Sequence, residues 1–239
     1  MSSTITVAQV LSWISAFIVQ RPTTGVGGVT FQPGLMSSNK VLQTITGPPF
    51  KWNWNRIEDT YQTVQNVSDS VPVLIANFGY LEKATAYLAS ADPQTIELEV
   101  YQVLAKDTKP GIPQKIAPLY DDGKGNITFR LLPSPNDEYT IYLTMQKSAP
   151  LLTDTAGTWA PIPDRYAYLY EQGLRAEMKG MYSEQAYALE IQMFFRQLVG
   201  ACEGLNETER AIFLEDRMRD VRAQIAAAQG TQQGMAVRV

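Results

Sequence analysis

Alternation of apolar and polar residues marks the middle of the chain as a region of β-strands. Residues 126–132 and 139–145 both carry apolar side chains at every second position, which is the period of a strand with one buried face. The sequence between them, PSPND, contains two prolines, which cannot donate to a sheet ladder, and then Asn and Asp, which favour turns. The pattern predicts a β-hairpin from residue 126 to residue 145.

Similar alternation predicts further strands between residues 50 and 147. In FKWNWNR the aromatic residues Phe50, Trp52 and Trp54 alternate with polar ones, and DDGKGN at 121–126 is a strong turn signal. About six to eight short strands at this spacing are typical of a small antiparallel sandwich or barrel. Besides the hairpin, strands are predicted at 50–56, 59–65, 71–76, 80–88, 95–104 and 115–120.

Helical periodicity occupies both ends of the chain. Residues 4–20 form an amphipathic pattern that Thr4 or Thr6 caps, and the glycine-rich loop 22–34 separates it from a short helix at 35–46. The apolar face of the first helix comprises Val7, Val10, Leu11, Ile14, Phe17 and Ile18.

Three more helices are predicted after a proline-rich linker. They cover 164–181, the stretch from Ser183 to Gly204, and 206–228, where Asn206 and Glu209 match a capping box. In the second of these, the residues predicted to face inward are Tyr187, Ile191, Phe194, Phe195 and Leu198.

These elements predict an α+β protein in which N- and C-terminal helices form a bundle that carries an inserted small antiparallel β-sandwich or barrel. The predicted boundaries are N-terminal helices at 1–48, the β-domain at 49–148, the linker at 149–163, C-terminal helices at 164–228 and a mobile tail at 229–239.

Composition removes most catalytic chemistry. The chain has no histidine and one cysteine, Cys202, so histidine-based catalysis, zinc sites built from Cys and His, and intrachain disulfides are excluded. A net charge of -4 argues against non-specific nucleic-acid binding. No secretory signal and no run of roughly 20 apolar residues is present, so we expect a protein made in the cytoplasm without a membrane span.

The remaining candidate sites each have a simpler interpretation. Asp121 and Asp122 resemble the start of a calcium loop but lack its later ligands, so a turn is favoured. Glu97 and Glu99 on one strand face are an acid pair without a predicted cleft, and TGVGGVT lacks the Lys-Ser/Thr of a P-loop. We therefore expect no catalytic residue, no cofactor and no metal.

Two groups of side chains remain as candidate contact surfaces. The aromatic residues of the β-region, with core packing as the simpler interpretation, would offer a surface for sugars or bases. Basic residues of the helices would face solvent, a partner or a DNA channel. The two groups are Trp52, Trp54, Tyr80, Tyr87 and Tyr101, and Arg165, Arg175, Lys179 and Arg196.

The chain resembles the head-to-tail adaptor, or connector, proteins of tailed double-stranded DNA bacteriophages. The resemblance is carried by ITFRLLPSPNDEYTIYLTMQKSAPLL, by TWAPIPDRYAYLYEQGLRAEM with Gly173 and Ala176, and by the second helix rich in Ala, Phe and Tyr. The N-terminal helix, the glycine-rich loop and PFKWNWNR are similar in placement. The long final helix from Asn206 departs from the family pattern.

The resemblance implies a virion protein that forms a ring, usually of twelve copies, between the portal and the tail. The implied partners are other copies of the chain, the portal protein, tail or nozzle proteins, and genomic DNA that passes without sequence-specific binding. Such adaptors often extend C-terminal segments into the portal, and glycine-containing segments would order on assembly. The expected partner-interface residues are Gly25, Gly27, Gly28, Gln232, Met235, Val237, Arg238 and Val239.

Alternatives remain open at this stage. A neck or tail-tube protein below the adaptor is the nearest, because it would share the same virion context. A carbohydrate- or receptor-binding tail module is permitted by the aromatic residues, and an enzyme that uses carboxylates is permitted by Glu97.

Overall fold

The computed structural model describes residues 33–89, 93–106, 109–153, 162–180 and 184–236, together with positions 6, 8, 9 and 12. Contacts divide the chain into two compact units. The helical unit lies within residues 1–54 and 149–239, and the sheet unit lies within residues 55–148.

The described residues of the sheet unit form nine strands. Seven of them build one mixed sheet in the order β1-β9-β3-β4-β6-β7-β2, and β5 pairs with β8 in a separate two-stranded sheet. The strands are β1 (Arg56–Gln62), β2 (Val73–Leu74), β3 (Phe78–Leu88), β4 (Gln94–Val100), β5 (Pro110–Gly111), β6 (Lys115–Asp121), β7 (Asn126–Leu132), β8 (Ser134–Pro135) and β9 (Thr140–Lys147).

The large sheet is nearly closed because one stretch of chain pairs with both of its ends. Strand β1 pairs with β9, and the chain that follows reaches β7, where β2 pairs with Ile127 and Asn126. In the segment of chain between β1 and β2, the Ser70 N–H donates to the Phe129 carbonyl at 2.8 Å, and the Ser68 carbonyl accepts from the Leu131 N–H at 2.8 Å. Few backbone groups are therefore left at an open sheet edge.

The predicted hairpin from 126 to 145 is wrong, although both of its strands exist. Strand β7 pairs with β6 and β2, whereas β9 pairs with β1 and β3. After β8 the chain leaves the β7 side of the sheet, and Tyr139 exchanges hydrogen bonds with Thr63, through its N–H to Thr63 Oγ1 at 2.8 Å and its carbonyl from the Thr63 N–H at 2.9 Å. The prolines thus mark a crossing between distant strands.

The predicted turn at 121–126 is confirmed, and it joins the antiparallel strands β6 and β7. Asp121 Oδ1 accepts a hydrogen bond from the Gly123 N–H at 2.7 Å, and Asp122 Oδ1 accepts one from the Lys124 N–H at 2.7 Å. Gly123 and Gly125 have φ values of 71° and 93°, a conformation that favours glycine.

Side chains from alternate positions of these strands fill the sheet unit. The alternation predicted for β7 and β9 is confirmed, since Ile127, Phe129 and Leu131 are buried, as are Ile141, Leu143 and Met145. Tyr61 stacks on Phe129 with ring centroids 5.9 Å apart, which joins the edge strand β1 to the centre of this core.

The helical unit contains four described α-helices. They are α1 (Pro33–Thr46), α2 (Ala167–Gly180), α3 (Glu184–Ala201) and α4 (Glu207–Ala236), and a 3-10 turn at Asp164–Tyr166 leads into α2. Helix α4 continues to Ala236, beyond the predicted end at Ala228, although Gly230 and Gly234 lie in this added stretch and glycine has a low helix propensity.

The N-terminus of the chain is described only at isolated positions. Thr6 Oγ1 accepts a hydrogen bond from the Gln9 N–H at 3.2 Å, and Gln9 Oε1 accepts one from the Thr6 N–H at 2.8 Å. This reciprocal pair is a capping box and agrees with Thr6 as the predicted cap. Apart from positions 6, 8, 9 and 12, the predicted helix 4–20 lies outside the described residues, as does nearly all of the loop 22–34.

The predicted strand at 50–56 is wrong. Phe50 and Trp52 belong to the helical unit, where both are buried, and the Trp52 indole N–H donates to the Ile45 carbonyl at 2.7 Å. Phe50 also packs edge-on against Phe213 of α4 at 5.0 Å between ring centroids. The alternating aromatic residues in this segment therefore anchor helices and do not pair with a sheet.

The predicted fold class, a helical bundle that carries an inserted small antiparallel sandwich or barrel, is also wrong. A mixed seven-stranded sheet that is nearly closed into a barrel dominates the fold, and four helices accompany it among the described residues. The sheet is mixed because β4 and β6 are parallel neighbours, joined through the excursion that contains β5. Alternation of side chains reports buried faces and is the same for parallel and antiparallel neighbours.

Gly173 offers a test of the helical packing, because a Cβ there would lie 2.6 Å from Val41 Cγ1 and 2.9 Å from Phe194 Cε2. We expect Gly173→Ala to destabilise the protein by about 1–3 kcal/mol through overpacking, as measured by urea unfolding. The matched control is Gly200→Ala, because a Cβ at this exposed helical position meets nothing within 4 Å. This control should be neutral or stabilising by up to about 1 kcal/mol, and equal effects of the two changes would contradict the packing shown.

Candidate docking site

The structure locates only part of the predicted partner interface. Gln232 and Met235 lie in the last turns of α4. The other predicted interface residues, which are Gly25, Gly27, Gly28, Val237, Arg238 and Val239, lie outside the described residues.

The acidic candidates on the sheet unit are engaged locally. Glu97 forms an ion pair with Lys83 at 3.0 Å, and Glu99 accepts a hydrogen bond from the Tyr101 hydroxyl at 3.0 Å. Asp121 and Asp122 hold the turn described above. Among the described residues, no group of three or more His, Cys, Asp or Glu side chains is placed to hold a metal ion.

The five aromatic candidates differ in exposure, from the buried Trp52 to Tyr101, which is exposed. Trp52 is only 2% exposed and packs against Trp54 and Tyr166 at 5.5 Å and 5.3 Å between ring centroids. The three tyrosines lie on the sheet unit instead, with Tyr80 and Tyr87 half-buried. Because the Trp52 ring is buried, it is not accessible to a ligand.

The basic candidates have different roles. Arg175 and Lys179 of α2 bind Glu190 of α3, and the Arg165 guanidinium lies 4.8 Å from the centre of the Tyr166 ring. Arg196 of α3 is exposed. Arg165 is exposed as well, so Arg165 and Arg196 are the two of the four that can meet a partner.

The Glu190 carboxylate joins α2 to α3 inside the helical unit. Its side chain is 7% exposed, and it accepts hydrogen bonds from the Lys179 ammonium and from Gln172 Nε2 at 2.7 Å, while Arg175 Nε lies at 3.3 Å. A buried carboxylate is tolerated only where cations and donors surround it. These contacts fix the rotation of α3 about its axis.

Two opposing effects act on the pKa of Glu190. Burial raises it, but hydrogen bonds from Lys179 and Gln172 and the charge of Arg175 outweigh burial, so the pKa lies below its usual value. A carboxyl with a lowered folded-state pKa stabilises the fold above its unfolded-state pKa and loses this contribution as the pH falls through the folded-state value.

Helix α4 begins at a capping box and packs against α3 through aromatic rings. Asn206 Oδ1 accepts from the Glu209 N–H at 2.8 Å, and Glu209 Oε2 accepts from the Asn206 N–H at 2.9 Å, which confirms the predicted cap. Phe213 packs edge-on against Phe195 with centroids 5.7 Å apart, and the Arg217 guanidinium lies over both rings. The rotation of α4 is thereby fixed as well.

With both helices fixed, the exposed residues of α3 between positions 187 and 201, where its side chains are described, form one narrow line. We call this line the α3 stripe; it consists of Leu189, Met193, Arg196 and Gly200. Leu189 is 63% exposed and Met193 is 44% exposed, whereas most other side chains of the helix are buried or half-buried. Exposed apolar residues at i and i+4 on an otherwise buried helix are typical of a helix-docking surface.

The solvent face of α4 is broad, and one line along it has the same spacing as the α3 stripe. We call it the α4 stripe; it consists of Thr208, Ile212, Glu215 and Arg219. Ile212 is 56% exposed, and the stripe lies opposite the buried residues Phe213 and Val221 on the helix circumference.

Sequence reasoning missed both stripes. It used apolar periodicity to find the inward face of α3, and the inward residues it selected are largely buried. Leu189 and Met193 lie outside the predicted inward face of α3. Two apolar residues outside that face were the signal available in the sequence. This signal can be interpreted only when the rotation of α3 about its axis is known, because the rotation decides which residues are exposed.

Comparisons with known proteins add no family assignment, since no protein-family model and no curated protein sequence matches the chain. Within the described part of the chain, no helix combines the length and the apolar character needed to cross a membrane.

The Glu190 contacts predict a pH-dependent stability. We expect Glu190→Gln to lower the free energy of unfolding by about 1–3 kcal/mol at pH 7, because Lys179 and Arg175 lose their buried counterion. The difference between variant and wild type should shrink as the pH falls below the ordinary pKa of Glu, about 4.3, because protonation then favours the unfolded chain, in which this pKa is not lowered.

Chemical unfolding between pH 7 and pH 3 measures both effects. The control is Glu97→Gln, which removes only an exposed ion pair on the sheet unit and should cost less than about 1 kcal/mol. A difference for Glu190→Gln that stays constant down to pH 3 would contradict the assigned role of the ionised carboxylate.

Proposed function

We propose that the chain is a virion structural protein, a head-to-tail adaptor that forms a ring between the portal and the tail of a tailed bacteriophage. In this role it lies in the virion neck, extends the DNA channel and docks tail components. Its partners are neighbouring copies, the portal protein and tail or nozzle proteins, with DNA passing through without sequence-specific binding. The role is structural, and a neck or tail-tube protein is the nearest alternative.

The observation that carries this proposal is the run of motifs from Ile127 to Met178 that resembles the adaptor family. These motifs have physical roles in the fold. PSPNDEY moves the chain from the β7 side of the sheet to β9, and the proline-marked linker ends at Asp164, where the turn into α2 begins. Gly173 provides the close contact with α1 and α3.

The surface of the helical unit supports a role in protein contact. The α3 and α4 stripes expose Leu189, Met193 and Ile212 on helices whose opposite faces are buried. Apolar side chains arranged in this way are stabilised when a partner covers them.

The charge distribution supports passage of DNA without tight binding. Residues 55–148 contain 8 Lys and Arg against 12 Asp and Glu, whereas the rest of the chain contains 12 of each. The acidic excess therefore resides in the sheet unit. A surface without excess cations releases few counterions from phosphate and binds DNA weakly.

The carbohydrate-binding alternative loses one of its five candidate aromatic rings. It depended on an exposed aromatic surface, but Trp52 is buried and bonds the Ile45 carbonyl through its indole N–H.

Negative-stain imaging tests the proposal directly. The purified chain is mixed with the portal ring encoded in the same genome, and the mass of the complex is determined. We expect a ring stacked on the portal, because the exposed stripes become covered when copies assemble. A chain that stays monomeric and does not bind the portal ring would overturn the adaptor assignment.

A gel-shift titration with duplex DNA tests the charge argument separately. At sub-micromolar protein and physiological salt we expect no shifted band, since the net charge is -4 and non-specific binding depends on cation–phosphate contacts. Salt-sensitive binding in this range would contradict it.

A further inference from the structure

Strand β1 carries an acidic residue on its inward face. Burial alternates along the strand, and Ile57, Asp59 and Tyr61 occupy the inward positions. Ile57 and Tyr61 pack in the core of the sheet unit, whereas Asp59 is half-buried and lies opposite the buried Leu143 of β9. A carboxylate in an apolar line has a desolvation cost, so Asp59 conflicts with the pattern around it. Inward-pointing charges of this kind occur on strands at the edge of a sheet, where they oppose pairing with another chain.

Strand β1 has such an open edge. It is the first strand of the large sheet, and among the described strands it pairs with β9 alone. Directly after β1, the Thr63 N–H donates to the Tyr139 carbonyl at 2.9 Å, so the odd-numbered residues point their backbone groups toward β9. The even-numbered residues therefore point theirs to the open side. Among the described residues, none of these even-numbered groups takes part in another backbone hydrogen bond.

The middle of β1 borders a cleft of about 540 Å³. Residues 58–60 of β1 and residues 142–144 of β9 line this cleft, and no residue of another described element does so. An open strand edge presents N–H and C=O groups to any other strand, so it is a surface at which two copies of a chain can associate.

Two copies of β1 can meet at this edge as an antiparallel pair related by a two-fold axis. The register that uses the whole strand places Glu58 opposite Thr60, and Asp59 opposite Asp59 of the other copy. The even-numbered residues then form the hydrogen-bonded pairs, so the Thr60 N–H must donate to the Glu58 carbonyl of the other copy. The two Asp59 residues form a non-hydrogen-bonded pair with Cα atoms about 4.5 Å apart, where like charges destabilise a sheet.

The Asp59 carboxylate also occupies the donor that this register needs. Its Oδ1 accepts a hydrogen bond from the Thr60 N–H at 2.7 Å within the same chain. A second strand would have to break this bond before the Thr60 N–H could donate across the edge. Asp59 thus opposes pairing in two ways, through its charge and through the hydrogen bond to its neighbour.

We propose that Asp59 is a gatekeeper, a residue that keeps β1 of one copy from pairing with β1 of another. The other inward residues of the strand favour pairing, since the same register places Ile57 opposite Tyr61 of the other copy, and aliphatic–aromatic pairs stabilise sheets. One side chain therefore separates a chain with a blocked edge from a chain that dimerises. The proposal concerns the sheet unit and does not depend on the adaptor role.

Analytical ultracentrifugation of the full chain tests the gatekeeper. Asp59→Val removes the charge and the acceptor and introduces a β-branched residue, so we expect the dissociation constant of the dimer to fall at least about tenfold relative to wild type. Asp59→Asn removes the charge but keeps an oxygen that can accept from the Thr60 N–H. Its association should lie between those of wild type and Asp59→Val.

Two control variants show whether β1 forms the contact. Glu58→Val removes the adjacent exposed acid but leaves Asp59 in place, and it should associate like wild type. Asp59→Val/Thr60→Pro lacks the N–H that pairing requires, and it should return to wild-type association. Proline is tolerated at position 60 because this N–H points away from β9 at the sheet edge. Circular dichroism and urea unfolding check that each variant is folded.

Cysteine crosslinking tests the register. Asp59→Cys removes the gatekeeper and places each new thiol opposite its own copy, at a Cα separation of about 4.5 Å that suits a disulfide. Oxidation with diamide should therefore link Asp59→Cys into dimers. Glu58→Cys faces Thr60 of the other copy and keeps Asp59, so it should form far fewer dimers. The native Cys202 is buried, and wild type treated in the same way gives the background.

Each outcome supports or overturns the proposal. Dimers or larger aggregates of Asp59→Val that Thr60→Pro suppresses would support it. Association that persists in Asp59→Val/Thr60→Pro, or that Glu58→Val shows equally, would place the contact elsewhere and overturn it. A folded Asp59→Val variant that associates no more than wild type would also overturn it.

Discussion

The close approach of three helices at Gly173 is the constraint on which the helical unit depends. Because α2 has no side chain at this position, Val41 of α1 and Phe194 of α3 both come within contact of its backbone. This brings α3 near enough to α2 for Glu190 to reach Lys179, Arg175 and Gln172. The rotation of α3, and with it the identity of its exposed residues, follows from these two features together.

The sheet unit is governed by a different constraint, the pairing of backbone groups. The chain from β1 to β2 pairs with β9 first and with β7 afterwards, so it serves both sides of the sheet. The ion pair between Asp69 and Arg130, at 2.7 Å, and the Arg130 hydrogen bond to the Leu104 carbonyl tie this stretch to the excursion after β4. The sheet is therefore nearly closed because the segment from β1 to β2 changes its pairing partner from β9 to β7.

Individual strands and helices could be predicted from the sequence more accurately than which strands are neighbours in the sheet. Alternation in β7 and β9 revealed which side chains are buried, but the same alternation fits any partner strand, so the predicted hairpin was wrong. Trp52 illustrates a related limit: its alternating context is that of a strand, while its indole N–H bonds a helix carbonyl. Local signals that fix backbone hydrogen bonds, such as Asn206 with Glu209 and the turn at Asp121, were read correctly. The docking stripes depend on helix rotation, which only tertiary contacts determine.

Because α4 is long, a small change in how it packs near its N-terminal end moves its C-terminal end by several ångströms. The last residue of this helix that is described as buried is Val221, and the helix axis continues for about 22 Å to Ala236. A tilt of about 10° at the Phe195–Phe213 contact would displace the end of the helix by roughly 6 Å, because about 34 Å of helix separates Phe213 from Ala236 at a rise of 1.5 Å per residue. The position of the C-terminal end of α4 therefore depends on the contact between Phe195 and Phe213, which lies near the other end of the helix.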